Sequence, residues 1–209
     1  MNEILKEFTP EKYYPLSLQT YHVNDNLIFE KWGKYIDTNP CTNKASFKRG
    51  FKTTKENKKC GIIGQLSVHQ LNVSLGIPIH EDKQICLIDQ DENDGYLKVN
   101  GGTPLQVKTK LFYKIFSPDC TLMIPIDQYK KYEKSTLFFA CVYQPDINLS
   151  TIIGYIPYDE FNEKKKIAYP GNILRDGFKT KPPTSYYVYY SDLHNSQKEY
   201  KQFILKSDN

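Results

Sequence analysis

The 209-residue sequence lacks any long hydrophobic run. No stretch reaches the roughly 18 consecutive apolar residues of a membrane-spanning helix, and residues 1–15 lack the apolar core of a signal peptide. Apolar residues nevertheless make up 39% of the chain and charged residues 25%, which is typical of a globular protein with a sizeable core. We therefore expect a cytoplasmic protein with no membrane partner, built as one domain with appended segments.

Paired cysteine motifs are also missing. The chain has five cysteines, an odd number, at wide spacings and without a CxxC pair. This pattern argues against a disulfide framework and against a structural zinc site. We expect buried, reduced thiols at most of these positions, which are Cys41, Cys60, Cys86, Cys120 and Cys141.

Several common catalytic motifs are absent as well. The sequence contains no Walker loop, no GxSxG elbow and no HExxH helix. The Gly101-Gly102 pair is too short to cradle a phosphate. A cysteine hydrolase stays open as an alternative, because a Cys and a His can meet in the fold, although no spacing favours it.

The net charge of +4 is modest but unevenly distributed. Seven cations and a single acid, Glu56, lie between residues 44 and 59. Such a segment either faces a polyanion or forms a solvated loop. The candidate nucleic-acid contacts within it are Lys44, Lys48, Arg49, Lys52 and Lys55.

Residues 61–75 predict a buried helix. Apolar residues fall on two nearly opposite sides of the helical projection, and Gly76 followed by Pro78 predicts where the helix ends. Between the apolar sides lies a polar seam at i, i+4 and i+7 spacing that must meet a polar partner inside the protein. The seam consists of Gln65, His69 and Asn72.

The sequence after this helix predicts a series of strands. Strands are expected at 83–88, 95–99, 104–109, 120–124, 136–143, 151–156 and 185–190, with a short helix at 125–132 and either a strand or a helix at 26–32. The runs from 120 to 156 are expected in the same sheet as the hairpin strands. A helix followed by a mixed sheet indicates an α/β or α+β protein.

The segments 95–99 and 104–109 form a predicted β-hairpin around Asn-Gly-Gly. If the turn is centred on Gly101, Asp94 faces Lys108 and Tyr96 faces Gln106 on one polar side. The reverse side is then apolar. It carries Leu97, Val99, Leu105 and Val107.

The hairpin and the helix resemble a known nuclease family. Asp94-Gly-Tyr-Leu-Lys-Val, a glycine turn and Gln106-Val-Lys108 resemble the second and third strands of PD-(D/E)xK nucleases, in the variant with glutamine at the strand-three acid. Residues 61–76 look like that family's first core helix, on which a Glu or Gln points at the metal site. The strands at 122–126, 138–142 and 153–158 resemble the strands and loop that follow.

The resemblance spans roughly residues 60–162 and implies an α/β fold of the restriction-endonuclease-like type, a mixed β-sheet flanked by helices. The implied organisation is a basic and polar N-terminal extension at 1–58, a nuclease-like core at 59–162, and a C-terminal extension at 163–209 that packs on the core.

The resemblance also implies roles for individual residues. Phosphodiester hydrolysis needs a hard cation with oxygen ligands, here Mg²⁺, for which Mn²⁺ can substitute. By the resemblance, Asp94, the Gln106 amide oxygen and the Val107 carbonyl hold the ion. Lys108 orients or deprotonates water and stabilises charge on the phosphate. The remaining candidates are Gln65, which would lie behind the ligands or reach the metal through water, and His69 and Asp91 as auxiliary residues.

Two departures from the family pattern bear on activity. Glutamine at 106 removes a negative charge, so cation affinity is expected to be lower unless a nearby acid such as Asp91 moves in. Gln65 stands where an acid is often found. The alternatives are purely structural roles: Asp94 is then a turn residue before Gly95, and Lys108 is its cross-strand ion-pair partner.

The leading hypothesis is a Mg²⁺-dependent DNA endonuclease of a restriction or other defence system, or of a mobile element. RNA stays open as a substrate, and a two-fold homodimer is expected if both strands of a duplex are cut. A second hypothesis is a catalytically inactive nucleic-acid-binding module on a nuclease fold. A third is a small inhibitor or interaction protein.

Overall fold

The computed structural model describes residues 4–8, 17–37, 55–79, 94–98, 102–112 and 116–206. The strands are β1 Leu5–Phe8, β2 Gln19–Val23, β3 Gly95–Leu97, β4 Thr103–Leu111, β5 Thr121–Pro125, β6 Leu137–Gln144, β7 Leu149–Pro157, β8 Lys166–Ala168 and β9 Ser185–Tyr189. The helices are α1 Asp25–Asp37, α2 Lys55–Ser74, α3 Ile126–Tyr129, α4 Tyr158–Lys164 and α5 Gln197–Lys206. None of these helices combines the length and the apolar character needed to cross a bilayer.

The strands form two sheets. The main sheet has the order β1-β2-β7-β6-β4-β3, and β4 and β6 are its parallel pair. A smaller antiparallel sheet has the order β5-β9-β8. The mixed α/β class is confirmed, but the prediction that 120–124 belongs to the main sheet is wrong, because that strand pairs along its length with β9. A periodic apolar pattern predicts a strand without naming its neighbour.

Both faces of the main sheet are covered. Phe139 and Cys141 of β6 lie in a core with α1, α2 and α5, whereas Phe138 and Ala140 lie in a second core with β5, β9 and α4. Strands covered on both faces have continuous apolar sequences, which explains the Leu-Phe-Phe-Ala-Cys-Val run of β6. The result is a three-layer arrangement, with the main sheet between a helical layer and the smaller sheet.

Helix α2 starts at Lys55, six residues before its predicted start, and ends where predicted. Gly76 has a φ of 69°, and its N–H donates to the Val73 carbonyl at 3.1 Å. The Ile77 N–H donates to the Asn72 carbonyl at 2.9 Å. These two bonds form a Schellman motif, which requires a left-handed residue at the position of Gly76.

The described part of the segment expected to be an N-terminal extension contributes two strands of the main sheet and helix α1. Strand β2 pairs with β7, with Thr20 opposite Thr151, and Tyr21 is fully buried. The segment 26–32 is helical, as part of α1. From the other end of the chain, the Tyr200 hydroxyl of α5 donates to the buried Asn72 amide oxygen at 2.7 Å. Both ends of the chain therefore contribute to the core around α2.

The hairpin has a different register from the predicted one. Tyr96 pairs with Pro104 and not with Gln106, so the strands are shifted by two residues. Asp94 accordingly contacts Gln106 and does not lie directly opposite Lys108. A shift of two residues keeps every side chain on its predicted face.

The shifted register has a tertiary cause. The Lys98 N–H donates to the Pro78 carbonyl at 2.9 Å, and Leu97 forms an isolated bridge with Ile79. The pairing of β3 with β4 thus ends at Leu97, where the chain pairs with the segment that follows α2. Thr103 lies opposite Leu97, which leaves a five-residue connection where the predicted strands leave four. The predicted strand at 83–88 lies outside the described residues.

Candidate functional site

The candidate site is built around the carboxylate of Asp94. Its Oδ2 accepts hydrogen bonds from the Gln106 side-chain amide and, at 2.7 Å, from the Val107 backbone N–H. Its Oδ1 accepts a hydrogen bond from Gln65 Nε2 at 2.8 Å. Residues from α2, from β4 and from the start of β3 therefore converge on one carboxylate.

The alternation of β4 and the close approach of α2 bring these side chains together. Gln106 and Lys108 lie two residues apart on β4, opposite Phe138 and Ala140 of the second core, so they share one face of the sheet. Gln65 comes from α2 on the other face. It can reach Asp94 because that residue lies just before β3 at the edge of the sheet.

Lys108 contributes a positive charge that acts on the Asp94 carboxylate. The Lys108 ammonium favours the ionised form of Asp94. Its Nζ donates to the Tyr132 hydroxyl at 3.4 Å and lies 5.9 Å from the centre of the Tyr132 ring. Cations are attracted to ring faces at such distances. Tyr132 therefore restricts where the Lys108 ammonium can lie.

Burial dominates the protonation of Asp94. It raises the pKa of Asp94 above its ordinary value of 3.8, although the Lys108 charge and the hydrogen bonds from Val107, Gln106 and Gln65 act in the opposite direction. Desolvation penalises the charged form of a carboxyl group, whereas donors and cations favour it. A carboxyl group with this balance protonates more readily than a surface aspartate.

The oxygen atoms of the site suit a hard cation. Carboxylate, amide and backbone carbonyl oxygens are the ligands that Mg²⁺ accepts. Within a strand the N–H and C=O of one residue point to the same side, so the Val107 carbonyl lies at the same edge as the N–H that bonds to Asp94. The Gln65 Oε1 atom is buried and has no hydrogen-bond partner among the described residues; an ion or its bound water would satisfy it.

Two features limit how tightly such an ion would be held. Gln65 and Gln106 both turn their amide NH₂ groups toward Asp94, so a cation requires the amide of Gln106 to rotate before its oxygen can bind. The described residues also include no group of three or more His, Cys, Asp or Glu side chains that could hold a metal. The site therefore fits a weakly bound ion that keeps several waters.

The structure brings together five of the predicted site residues, which are Gln65, Asp94, Gln106, Val107 and Lys108. His69 is partly buried one turn beyond Gln65 on α2 and is not one of the three hydrogen-bond donors to Asp94. Asp91 lies outside the described residues.

Most of the predicted basic contacts cannot be placed. Lys44, Lys48, Arg49 and Lys52 lie outside the described residues. Lys55 is exposed in the first turn of α2 and forms an ion pair with Asp37 at 2.5 Å. At about 1.5 Å per residue it lies on the order of 15 Å along the helix from Gln65. Lys55 is therefore tied to α1 and is remote from the Asp94 carboxylate.

The sequence analysis missed Tyr132 and Lys110. Lys110 continues the row of Gln106 and Lys108 on the same face of β4, a spacing that the alternation could have indicated. Its Nζ donates to Thr121 Oγ1 at 3.1 Å, and burial lowers the pKa of Lys110. No local signal identifies Tyr132, because it lies 24 residues from Lys108 in the chain.

The described cysteines do not form a nucleophilic site. Cys60, Cys120 and Cys141 are free and buried. Burial raises the pKa of Cys60 to about 12 and that of Cys141 well above its ordinary value. A thiol of raised pKa is a poor nucleophile, because the thiolate is the reactive form. The cysteine-hydrolase alternative therefore gains no support from these thiols.

Comparison with known proteins gives no relative from which a role could be transferred. No protein-family model matches the chain, and neither a curated protein nor a solved structure matches it significantly.

Proposed function

We propose that the protein is a divalent-cation-dependent nuclease of the restriction-endonuclease-like type that hydrolyses phosphodiester bonds of DNA at Asp94. The observation that carries the proposal is the convergence on this carboxylate of Gln65, Gln106 and the Val107 N–H, with the Lys108 ammonium close enough to favour its ionised form. A partly buried carboxylate of raised pKa beside a cation is a recurrent feature of catalytic sites.

The ion would be held by the Asp94 carboxylate, the Val107 carbonyl and the Gln106 amide oxygen. Mg²⁺ or Mn²⁺ polarises a phosphate and lowers the pKa of an attacking water when bound. Asp94 must be ionised to take part. Lys108 stabilises the negative charge that grows on the phosphate oxygens, and Tyr132 positions its ammonium. Gln65 orients Asp94 through its hydrogen bond to Oδ1.

A second candidate function is nucleic-acid binding without cleavage. One specific observation favours it. The amide NH₂ groups of Gln65 and Gln106 already donate hydrogen bonds to the two carboxylate oxygens of Asp94, so these oxygens have partners without a cation. Binding by such a module would survive loss of the carboxylate.

Incubation with supercoiled plasmid, single-stranded DNA and RNA in Mg²⁺ or Mn²⁺ tests the proposal. We expect the wild type to cut DNA, EDTA to abolish cleavage, and Asp94→Asn and Lys108→Met each to lower the rate by about 10²-fold or more, as for other charge-stabilising groups. Lys201→Ala, an exposed change on α5, is the control and should cut like the wild type.

Two results would contradict the nuclease proposal. Equal cleavage by the wild type and Lys108→Met would mean that a contaminating nuclease is responsible. Binding of DNA by the wild type and by Asp94→Asn, with no cleavage by either, would support the binding module.

A further inference from the structure

Residues 169–181 form a defined surface hairpin between β8 and β9, here called the 169–181 hairpin. The Gly171 N–H donates to the Thr180 carbonyl at 2.9 Å, and the Thr180 N–H donates to the Asn172 carbonyl at 2.8 Å. Ile173 and Lys179 face each other across an isolated bridge. The backbone of this segment is therefore fixed by its own hydrogen bonds, so its side chains project from a defined frame.

The outward side chains of this hairpin are apolar and basic. Ile173 is 74% exposed, Tyr169 58% and Phe178 43%. Large apolar side chains at such exposure within one short segment usually mark a binding surface. Along the chain, residues 164–181 contain six basic residues and one acidic residue; of these, Lys164 pairs with Glu160 at 3.5 Å and Arg175 lies 4.0 Å from Asp119. The basic residues are Lys164, Lys165, Lys166, Arg175, Lys179 and Lys181.

The hairpin is anchored beside the candidate site. The Lys110 Nζ atom lies 5.6 Å from the centre of the Phe178 ring, and Lys110 follows Lys108 by two residues on the same face of β4. Same-face neighbours on a strand are about 7 Å apart. The Phe178 side chain, next to the turn of the hairpin, is therefore on the order of 10 Å from Lys108. At the tip, Arg175 stacks on Tyr189 at 4.5 Å.

We propose that the 169–181 hairpin binds an unpaired nucleic-acid strand that passes the Asp94 and Lys108 site. Bases stack on Tyr169 and Phe178, and phosphates lie against Lys179 and Lys181. This inference rests on the proposed function and names its substrate class as single-stranded nucleic acid.

Three physical arguments select this partner. Exposed rings interleaved with lysines match how proteins hold single strands, where each stacked base contributes about 1–3 kcal/mol. The local excess of positive charge favours a polyanion over an apolar protein surface. A span on the order of 10 Å is within the length of a few nucleotides of an unpaired strand, so one strand can contact both places.

Fluorescence anisotropy tests the inference separately from catalysis. The full chain is titrated into a labelled 12-nucleotide oligothymidylate and into a labelled duplex, both in EDTA. We expect tighter binding of the single strand than of the duplex. Tyr169→Ala and Phe178→Ala should each weaken single-strand binding about tenfold, whereas Tyr169→Trp, which keeps an aromatic ring, should bind like the wild type. The matched control is Leu205→Ala, a 50% exposed apolar residue on α5.

Salt dependence tests the role of the lysines. The doubly substituted Lys179→Ala/Lys181→Ala protein should lower the slope of log affinity against log salt by about 1.4. The same change in Lys198→Ala/Lys201→Ala, on the far side of the main sheet, should leave the slope as in the wild type. An unchanged slope in the hairpin variant would contradict the assigned phosphate contacts.

The outcomes also separate this inference from the nuclease proposal. Wild-type affinity in both ring variants, or equal weakening in Leu205→Ala, would overturn the hairpin inference even if the protein cuts DNA. A failure to bind any oligonucleotide would overturn it as well and would point to a protein partner. Hairpin-dependent binding without cleavage would support the inference while the nuclease proposal fails.

Discussion

Gly64 of α2 lies directly against Thr109 of β4. A Cβ atom at Gly64 would come within 1.8 Å of Thr109 Oγ1 and 3.0 Å of the Thr109 Cβ, so no larger residue fits without movement. This contact fixes the distance between the helix and the sheet at the residue before Gln65. The reach of Gln65 to Asp94 therefore depends on the absence of a side chain at position 64.

Gly64→Ala should destabilise the protein by about 1–3 kcal/mol, because it overpacks a close helix–sheet contact. Gly61→Ala is the matched control on the same helix, since nothing lies within 4 Å of its added Cβ; it should stabilise by about 0.5–1 kcal/mol through helix propensity. Urea unfolding measures both changes. Equal effects of the two substitutions would show that the close contact does not exist.

Asp94→Asn should raise the free energy of unfolding at neutral pH by about 1 kcal/mol. The substitution removes a buried charge, and the new amide NH₂ can bond to the unpartnered Gln65 Oε1 once the Gln65 amide rotates. In the wild type, the folded state binds a proton more tightly than the unfolded state, because the pKa of Asp94 is raised in the fold. Wild-type stability therefore falls as pH rises from 3.8 through the raised pKa.

Urea unfolding of the wild type and Asp94→Asn across this pH range tests the linkage. The advantage of the variant should be smallest below pH 3.8 and should grow toward neutral pH. A difference that is constant with pH would mean that the charge on Asp94 does not affect stability.

Lys108→Met should raise the pKa of Asp94 further, because the Lys108 ammonium favours the carboxylate. The Asp94 side-chain ¹³C shift, followed by NMR against pH, measures this change without any need for activity. Lys110→Met is the control, since Lys110 is not among the groups that shift the pKa of Asp94. If the protein cuts DNA, the acidic limb of its pH profile should follow the same pKa. An unshifted Asp94 titration in Lys108→Met would show that the two groups do not interact.

Gln106→Glu should make the protein depend on divalent cations for stability. Gln106 is only 3% exposed and touches Asp94, so a second carboxylate there repels the first and raises the pKa of the pair. We expect a lower Tm than the wild type in EDTA and a larger rise in Tm with millimolar Mg²⁺ or Mn²⁺, as expected when an ion binds only the folded state.

Gln106→Met is the control for this experiment. Methionine is uncharged like the wild-type glutamine but has no amide oxygen, so Mg²⁺ should raise the Tm of this variant no more than that of the wild type. If Mg²⁺ raises the Tm of Gln106→Glu no more than that of Gln106→Met, the proposed ligand role of position 106 is incorrect.

Two features could be predicted because they depend only on local backbone geometry: the end of α2 and the polar face of β4. The end of α2 was predictable because Gly76 adopts a left-handed φ of 69°, which glycine tolerates without strain. The shared polar face of Gln106 and Lys108 was predictable because side chains alternate along any strand. The convergence on Asp94 needs, in addition, the observed register of the hairpin and the close approach of α2 to β4 at Gly64, which the sequence pattern does not give.

Tertiary pairing determined what the sequence could not predict. The hairpin register depends on the bond from the Lys98 N–H to the Pro78 carbonyl, and no turn motif encodes that contact. Tyr132 joins the site through a contact across 24 residues. Val73, an apolar residue of the helix predicted to be buried, is 47% exposed among the described residues. Periodicity gives the faces of an element but not the partners that cover them.

The bond from the Val107 N–H to Asp94 also protects a sheet edge. Strand β4 extends to Leu111, well past its pairing with β3, and in the described part of the chain no other strand adjoins this side of residues 107–111. An open edge of this kind is a template for adding a strand from another molecule. The Asp94 carboxylate occupies the Val107 N–H, so this donor cannot pair with a strand from another molecule. A substitution at Asp94 would therefore change both the candidate site and the protection of this edge against self-association.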